Sequence, residues 1–173
     1  MSLDVISCQM SNVIFDFMKL TKHFTLKEFT SSTTARKLGI NNEAPESVVE
    51  NLRNLCIQVL EPLRQHFDVP ITITSGYRCA QLNAMVGGGK NSQHKFGEAA
   101  DIHLPLTDAE WFDGLRHTDM ETARKWLNWL RDNTDYDQLI METSNGKDFW
   151  IHVSCRRDLR LNRHQVISYM RKN

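Results

Sequence analysis

Two histidines and one aspartate have the side-chain types and the placement that a metal site requires. His94 lies in a loop that enters a predicted strand, Asp101 lies on that strand, and His152 lies on a later strand. Adjacent antiparallel strands can bring such side chains within the roughly 2.0–2.2 Å bond lengths of one zinc ion. Two imidazoles and one carboxylate leave the fourth tetrahedral position for water, which is the open coordination of a catalytic zinc. The trio therefore predicts hydrolytic chemistry, because a metal lowers the pKa of its water toward about 7.

The same residues also have a simpler interpretation. The chain contains seven histidines, and a single histidine near a strand is most often structural or merely exposed. The spacing between His94 and Asp101 is by itself a weak sign of a metal site. The elements that would position the three side chains therefore have to be considered.

Capping residues and apolar periodicity predict helices in the first part of the chain. Thr25 and Glu28 fit a capping box, in which each side chain satisfies free amides of the first helical turn. A second short helix is predicted over 32–38. The longest helix is predicted over 46–66, where apolar residues recur every three to four positions. Pro62 should kink this helix or end its regular part.

Strand patterns dominate later in the chain. Alternating, β-branched segments predict strands over 69–74, 99–104, 136–143 and 149–154. The last two should form a hairpin around Asn145 and Gly146. Two further helices are predicted, a short one capped by residues 107–110 and another over 121–131. Residues 159–170 show no pattern that assigns them to an element.

These segments together predict an α+β fold. Helices grouped early and strands paired late indicate a small antiparallel sheet with helices packed on one side. A chain of 173 residues is long enough to bury one hydrophobic core. We expect a single domain over 18–173, preceded by a poorly ordered or atypical N-terminal extension over 1–17.

Composition and charge exclude several classes of function. The chain has 21 Lys+Arg and 21 Asp+Glu, so nucleic acid is not an expected partner, although 156–163 forms a local basic stretch. No apolar run approaches the ~20 residues that span a bilayer, so membrane insertion is not expected. The four cysteines contain no Cys-x-x-Cys pair and should be ordinary packed thiols. No secretory signal is visible, which makes synthesis in a reducing cytosol the simplest inference.

Several short motifs follow one another in order along the chain. They are HFTLKEF (23–29), LEPLR (60–64), ITSGYR (73–78), Asn83, VGG (86–88), SQH (92–94), Gly97, AADI (99–102) and WIHVS (150–154). This ordered set closely resembles the zinc D-alanyl-D-alanine carboxypeptidase-like peptidases, which have the hedgehog/DD-peptidase fold, and most closely their phage and bacterial peptidoglycan peptidases. The resemblance covers about residues 20–154. It implies a zinc peptidase that acts on the D-amino-acid-containing peptides of bacterial cell walls.

The resemblance also implies roles for individual residues. His94, Asp101 and His152 match the zinc ligands. Arg78 matches the arginine after the Ser-Gly-Tyr turn, and its planar charged fork suits a substrate carboxylate or the developing oxyanion; the alternative is a surface ion pair. Ser92 could hydrogen-bond the substrate, or it could only shape its loop.

The general base is the point at which this sequence departs from part of the family. Many members carry an acidic residue three positions before the last histidine, where this chain has Phe149. Glu142 is the preferred replacement, and Asp148 is the alternative. A three-residue hairpin loop would pair Glu142 with Trp150 and place it on the same face as His152, whereas a two-residue loop would place it on the opposite face. Glu142 could equally be a solvated strand residue.

Two other residues lie close to the expected site along the sequence. Trp150 could form a wall of the substrate pocket or pack in the core. His103 is two residues beyond Asp101 and so faces the same side of its strand. We expect His103 to support the site or the fold rather than to bind the metal.

The leading hypothesis is a zinc-dependent carboxypeptidase or endopeptidase of peptidoglycan stem peptides or cross-links, working as a monomer. The alternative is a cell-wall binding or structural module that holds zinc without catalysis. Action on the wall, after synthesis in the cytoplasm without a signal peptide, would be explained by phage-type release on lysis or by attachment to a phage tail.

Overall fold

The computed structural model describes residues 18–103, 120–144, 146 and 148–171. The helices in this part of the chain are α1 (Leu26–Thr30), α2 (Thr33–Leu38), α3 (Glu46–Leu55), α4 (Glu61–Phe67), α5 (Ala80–Met85) and α6 (Met120–Asn133). The strands are β1 (Thr72–Ser75), β2 (Ala99–His103), β3 (Gln138–Thr143), β4 (Phe149–Ser154) and β5 (Gln165–Arg171). Two 3₁₀ turns span Gln93–Phe96 and Leu159–Leu161.

The strands form one sheet in the order β1-β2-β4-β3-β5. The pairs β1–β2, β2–β4 and β4–β3 are antiparallel, whereas β5 runs parallel to β3. The α+β class is confirmed, and so is the hairpin of β3 and β4. The expectation of a purely antiparallel sheet needs a correction, because the tail that sequence patterns left unassigned adds a parallel edge strand.

The two faces of the central strands differ in chemistry. The inward face packs into one apolar cluster with the buried residues of the long helices, and its members are Ala100, Ile102, Leu139, Met141, Ile151 and Val153. The alternate positions on the other face include Asp101, Glu142 and His152, which are buried but lie outside that cluster. Because strand side chains alternate, packing the helices on one face leaves the opposite face for polar residues.

The longest helical segment is continuous but irregular. A π-helical turn, Cys56–Leu60, joins α3 to α4 directly before Pro62. Proline has no backbone N–H to donate to the fourth preceding carbonyl, so the hydrogen-bond ladder has to shift at this point. The predicted disturbance at Pro62 is thus confirmed, and the segment still buries Leu55, Leu60 and Leu63 completely.

Other predictions have mixed outcomes. Thr25 and Glu28 form the predicted capping box, and Gly39 ends α2 in the left-handed region at φ 63°. Cys56 and Cys155 are free and buried, and burial raises the pKa of both thiols.

The short helix predicted to be capped by residues 107–110 and the predicted extension over 1–17 lie outside the described residues. None of the described helices combines the length and the apolar character that crossing a membrane requires.

Candidate metal centre

Three polar side chains converge on the sheet face opposite the apolar core. Asp101 on β2 and His152 on β4 are directly opposite each other in the antiparallel register. His94 comes from the 3₁₀ turn Gln93–Phe96, and Gly97, at φ 70°, ends that turn and lets the chain enter β2. All three residues are buried, with 2%, 7% and 9% exposure for His94, Asp101 and His152.

The donor atoms of these residues form a small triangle. His94 Nε2 lies 3.2 Å from His152 Nδ1 and 3.3 Å from Asp101 Oδ1, and His152 Nδ1 lies 2.9 Å from Asp101 Oδ1. A tetrahedral zinc with bonds of roughly 2.0–2.1 Å places its donor atoms about 3.3–3.5 Å apart. Two imidazole nitrogens and one carboxylate oxygen at these separations fit one zinc ion with a small expansion of the triangle.

The protonation of His94 suits metal binding. Its Nδ1 lies 2.7 Å from the carbonyl oxygen of Gly76. A carbonyl only accepts, so Nδ1 carries the proton and the neutral ring presents the lone pair of Nε2 to the triangle. Burial lowers the pKa of His94, although the nearby Asp101 opposes this effect. His94 can therefore bind a metal ion through Nε2.

Asp101 supplies the negative charge of the site. Burial alone would raise its pKa, but the electrostatic and hydrogen-bonding interactions with His94 and His152 outweigh burial. The pKa of Asp101 consequently lies well below its usual value. An ionised carboxylate facing two imidazoles is the donor set that a divalent zinc ion prefers.

Gly76 has a steric reason for being glycine. A Cβ atom at this position would lie 2.6 Å from the Cα and carbonyl oxygen of Phe29. The backbone N–H of Tyr77 donates to that same Phe29 carbonyl at 2.7 Å. The close approach of this turn to α1 fixes the Gly76 carbonyl that orients His94.

A cleft of about 760 Å³ opens over the triangle and is lined by His94, His152, Arg78, Ser92 and Glu142, among others. The Nε atom of Arg78 is buried and has no hydrogen-bond partner in the described part of the chain. Burial lowers the pKa of Arg78, while the charges of Asp101 and Glu142 oppose that shift. The guanidinium thus lines the cleft with donor capacity left for a ligand.

The hairpin register places Glu142 on the same face of the sheet as Asp101 and His152. Glu142 pairs with Trp150 across β3 and β4, which is the register that the three-residue loop predicted. Glu142 is 3% exposed, and the indole Nε1 of Trp150 donates to its Oε2 at 2.7 Å. Phe149, at the position where many relatives carry an acid, packs in the apolar core.

Asp148 and His103 form a separate pair at the edge of this region. His103 Nε2 lies 3.0 Å from Asp148 Oδ1, and neither residue lines the cleft. Among the residues that the structure describes, Glu142 is therefore the carboxylate that lines the cleft beside the triangle. Trp150, expected as a pocket wall, also does not line the cleft.

Sequence patterns missed a cluster at the far end of the cleft. Arg156 and Arg163 line it there, and both pair with the fully buried Asp137. The basic stretch over 156–163 was the available signal. Its folding back onto the cleft depends on β5, whose parallel partner no local pattern reveals.

Comparisons with known proteins agree with this geometry. The family model for peptidase M15 matches residues 22–123, which is more than half of the chain and includes Arg78, His94 and Asp101. The zinc D-Ala-D-Ala carboxypeptidase of Streptomyces albus G is 49% identical over 35 residues, a match that covers 20% of this chain and 14% of that relative. Glu142 and His152 lie beyond the family match, and the sheet brings them to the residues within it. The chain belongs to the peptidase M15 family.

Proposed function

We propose that this chain is a zinc-dependent peptidase that hydrolyses peptide bonds in the stem peptides or cross-links of bacterial peptidoglycan. The observation that carries the proposal is the triangle of His94, Asp101 and His152 at the floor of an open cleft. Membership of the M15 family supports peptide-bond hydrolysis. The partial match to a zinc D-Ala-D-Ala carboxypeptidase supports zinc and a wall peptide.

His94, Asp101 and His152 would hold the zinc ion. Zinc, when bound, supplies a Lewis acid that lowers the pKa of water and polarises a peptide carbonyl. The hydrogen bond from His94 Nδ1 to Gly76 fixes the ring so that Nε2 faces the ion. Burial of all three residues excludes competing water from their donor atoms.

Glu142 is the proposed general base. Its carboxylate would take a proton from the attacking water and later give it to the leaving amine. The hydrogen bond from Trp150 to Oε2 fixes the direction in which the carboxylate points. Trp150 is thus proposed as a positioning residue for Glu142, and direct contact of Trp150 with substrate stays a prediction.

Arg78 and Ser92 are proposed to contact the substrate. The Arg78 guanidinium can donate to the oxygen that becomes negative in the transition state, or to a substrate carboxylate. Its backbone N–H donates to the carbonyl of His94 at 3.1 Å, which couples its position to the metal ligand. Ser92 lies two residues before that ligand on the wall of the cleft.

The test combines metal content with turnover on purified peptidoglycan. We expect about one zinc per chain and the release of D-alanine or of new amino groups from the wall. The His152→Ala variant should lose both. Free D-alanine would identify a carboxypeptidase, whereas new amino groups within the cross-links would identify an endopeptidase. Stoichiometric zinc with no turnover on several wall types would instead favour a zinc-containing binding module.

A further inference from the structure

Two arginines share one buried carboxylate at the end of the cleft away from β1. Arg163 donates to Asp137 from its backbone N–H at 2.8 Å, from Nε at 3.0 Å and from Nη2 at 2.6 Å. Arg156 donates to the same carboxylate from Nε at 3.3 Å. Burial alone would raise the pKa of Asp137, but these bonds and charges lower it to about 2. The carboxylate is therefore ionised at any pH at which the protein would work.

The cluster has more positive charge and more donors than Asp137 can satisfy. Two guanidinium groups face one carboxylate, which leaves one net positive charge. Within the described residues, both terminal nitrogens of Arg156 and Nη1 of Arg163 have no protein acceptor. The two side chains are 34% and 46% exposed, and both line the cleft. Asp137 thus holds both guanidinium groups in place, and their remaining N–H donors are available to a ligand in the cleft.

The strand register gives the separation between this cluster and the triangle. Arg156 lies four residues beyond His152, and Asp137 directly precedes Gln138, which pairs with Ser154. At roughly 3.3 Å per extended residue, the arginines lie on the order of 10 Å from the metal ligands. Arg163 Nη2 also reaches Gln93, the neighbour of His94, at 3.3 Å. An extended peptide bound over the triangle would place a side chain two to four residues from the cleaved bond beside these arginines.

We propose that Arg156 and Arg163 form a carboxylate-binding subsite that selects substrates with a free acid two to four residues from the scissile bond. This inference rests on the proposed function. Paired guanidinium forks bind a carboxylate through charge-assisted, bidentate hydrogen bonds. An amidated side chain at the same place lacks the negative charge and presents only one acceptor oxygen, so the subsite discriminates against it.

The test uses matched peptides that end in D-Ala-D-Ala. Each pair carries D-Glu or D-Gln at one position, placed two, three or four residues before the terminal bond. We expect native, zinc-loaded protein to prefer the acid in one pair by about tenfold in kcat/KM and in Kd from calorimetry. In Arg156→Gln that preference should fall to within about twofold, because the acid peptide loses more kcat/KM than the amide peptide does.

Two further variants separate recognition from folding. Arg163→Lys keeps the charge beside Asp137 but loses the fork, and it should also reduce the preference for the acid. Arg160→Gln is the matched control, because Arg160 is 89% exposed, pairs with Asp158 and does not line the cleft. It should keep the native preference.

Each outcome bears on one proposal or the other. If no pair shows a preference for the acid, or if the preference survives in both arginine variants, the subsite does not exist. The arginine variants could instead lose kcat/KM equally on the acid and amide peptides and show a lower melting temperature. That result would mean that Arg156 and Arg163 only stabilise the packing of the C-terminal segment against β3. Selective binding of the acid peptide without hydrolysis would contradict the proposed peptidase activity and support the subsite. Hydrolysis without a preference for the acid would support the peptidase activity and contradict the subsite.

Discussion

The two ends of the cleft use charge in opposite ways. At the metal end, one carboxylate and two imidazoles are buried and turn their donor atoms toward one point, where one cation can join them. At the arginine end, a fully buried carboxylate is already satisfied, and the half-exposed guanidinium groups carry the surplus. The first end attracts a cation and the second attracts an anion. The two ends of the cleft therefore differ in charge, and this difference favours one orientation of a bound peptide that carries an acidic group.

The two ends also depend on different parts of the fold. His94, Asp101 and Arg78 lie within the stretch that matches the family model. Asp137, Arg156 and Arg163 lie outside it and are assembled by β3, β5 and the turns around them. Glu142 on β3 and His152 on β4 also lie beyond the match, so the later strands contribute to both ends. We infer that the arginine end, which additionally depends on β5, adds a substrate preference to the chemistry of the metal end.

The largest effect should come from breaking the metal end. His152→Ala removes one of three ligands, so we expect loss of stoichiometric zinc and a fall in activity of at least about 10³-fold. Zinc content by mass spectrometry and wall hydrolysis measure the two effects. His103→Ala is the control, since His103 faces the same side of the sheet but pairs with Asp148. Equal zinc loss in both variants would contradict the assignment of the triangle.

Removing the proposed base should spare the metal and abolish most turnover. Glu142→Gln keeps the size of the side chain and an acceptor for the Trp150 indole but cannot take a proton. We expect kcat to fall by roughly 10²–10⁴-fold with zinc content unchanged. Asp148→Asn, in the carboxylate that sequence left as an alternative, should retain nearly native kcat. The reverse result would transfer the role to Asp148.

A smaller effect should follow from loosening Glu142 without removing it. Trp150→Phe keeps an aromatic ring but loses the indole donor to Oε2. A hydrogen bond to a charged group contributes about 1.5–3 kcal/mol, so we expect kcat to fall by roughly 10- to 100-fold. KM should stay within about twofold, because the indole does not line the cleft. Trp129→Phe, in a ring stacked on His66, is the control; a rise in KM alone would point to substrate contact instead.

The last effect concerns the stability that the arginine end contributes, rather than activity. The pKa of Asp137 is about 2 in the folded protein against a usual value of 3.8. Because the folded value is the lower one, this contribution is present above about pH 4 and is lost as the pH falls toward 2. The shift corresponds to about 2 kcal/mol of unfolding free energy.

Urea unfolding of native protein and Asp137→Asn, with a chelator present, measures this contribution. The difference between the two should shrink by about that amount between pH 5 and pH 2. Asp158→Asn is the control, because the Asp158–Arg160 pair is solvent-exposed and screened. A difference that is independent of pH would mean that the ion pairs do not stabilise the fold.

The sequence predicted those parts of the site whose residues lie in contiguous motifs. It was less informative about parts that depend on pairing between strands far apart in the chain. The Ser-Gly-Tyr-Arg turn and the segment from His94 to Asp101 are contiguous motifs, and the structure brings their side chains to one site. The position of Glu142 followed from counting residues in one hairpin loop, which leaves two registers until the strands are seen. β5 pairs in parallel with a strand 27 residues earlier, Gln165 lying against Gln138. No local periodicity indicates such a partner strand, so the sequence did not predict that Arg156 and Arg163 line the cleft.

The alternation of side chains along β3 and β4 also limits how the hairpin between them can evolve. Glu142 and His152 lie on the same face because the register pairs Glu142 with Trp150. A slip of this pairing by one residue would exchange Glu142 with a neighbour that now packs in the core, whereas a slip by two residues would keep a side chain of the same face at each position. A β-bulge in either strand would change the face of every residue beyond it in the same way as a one-residue slip. The chemistry proposed for this face therefore depends on a register that the turn between β3 and β4 has to hold.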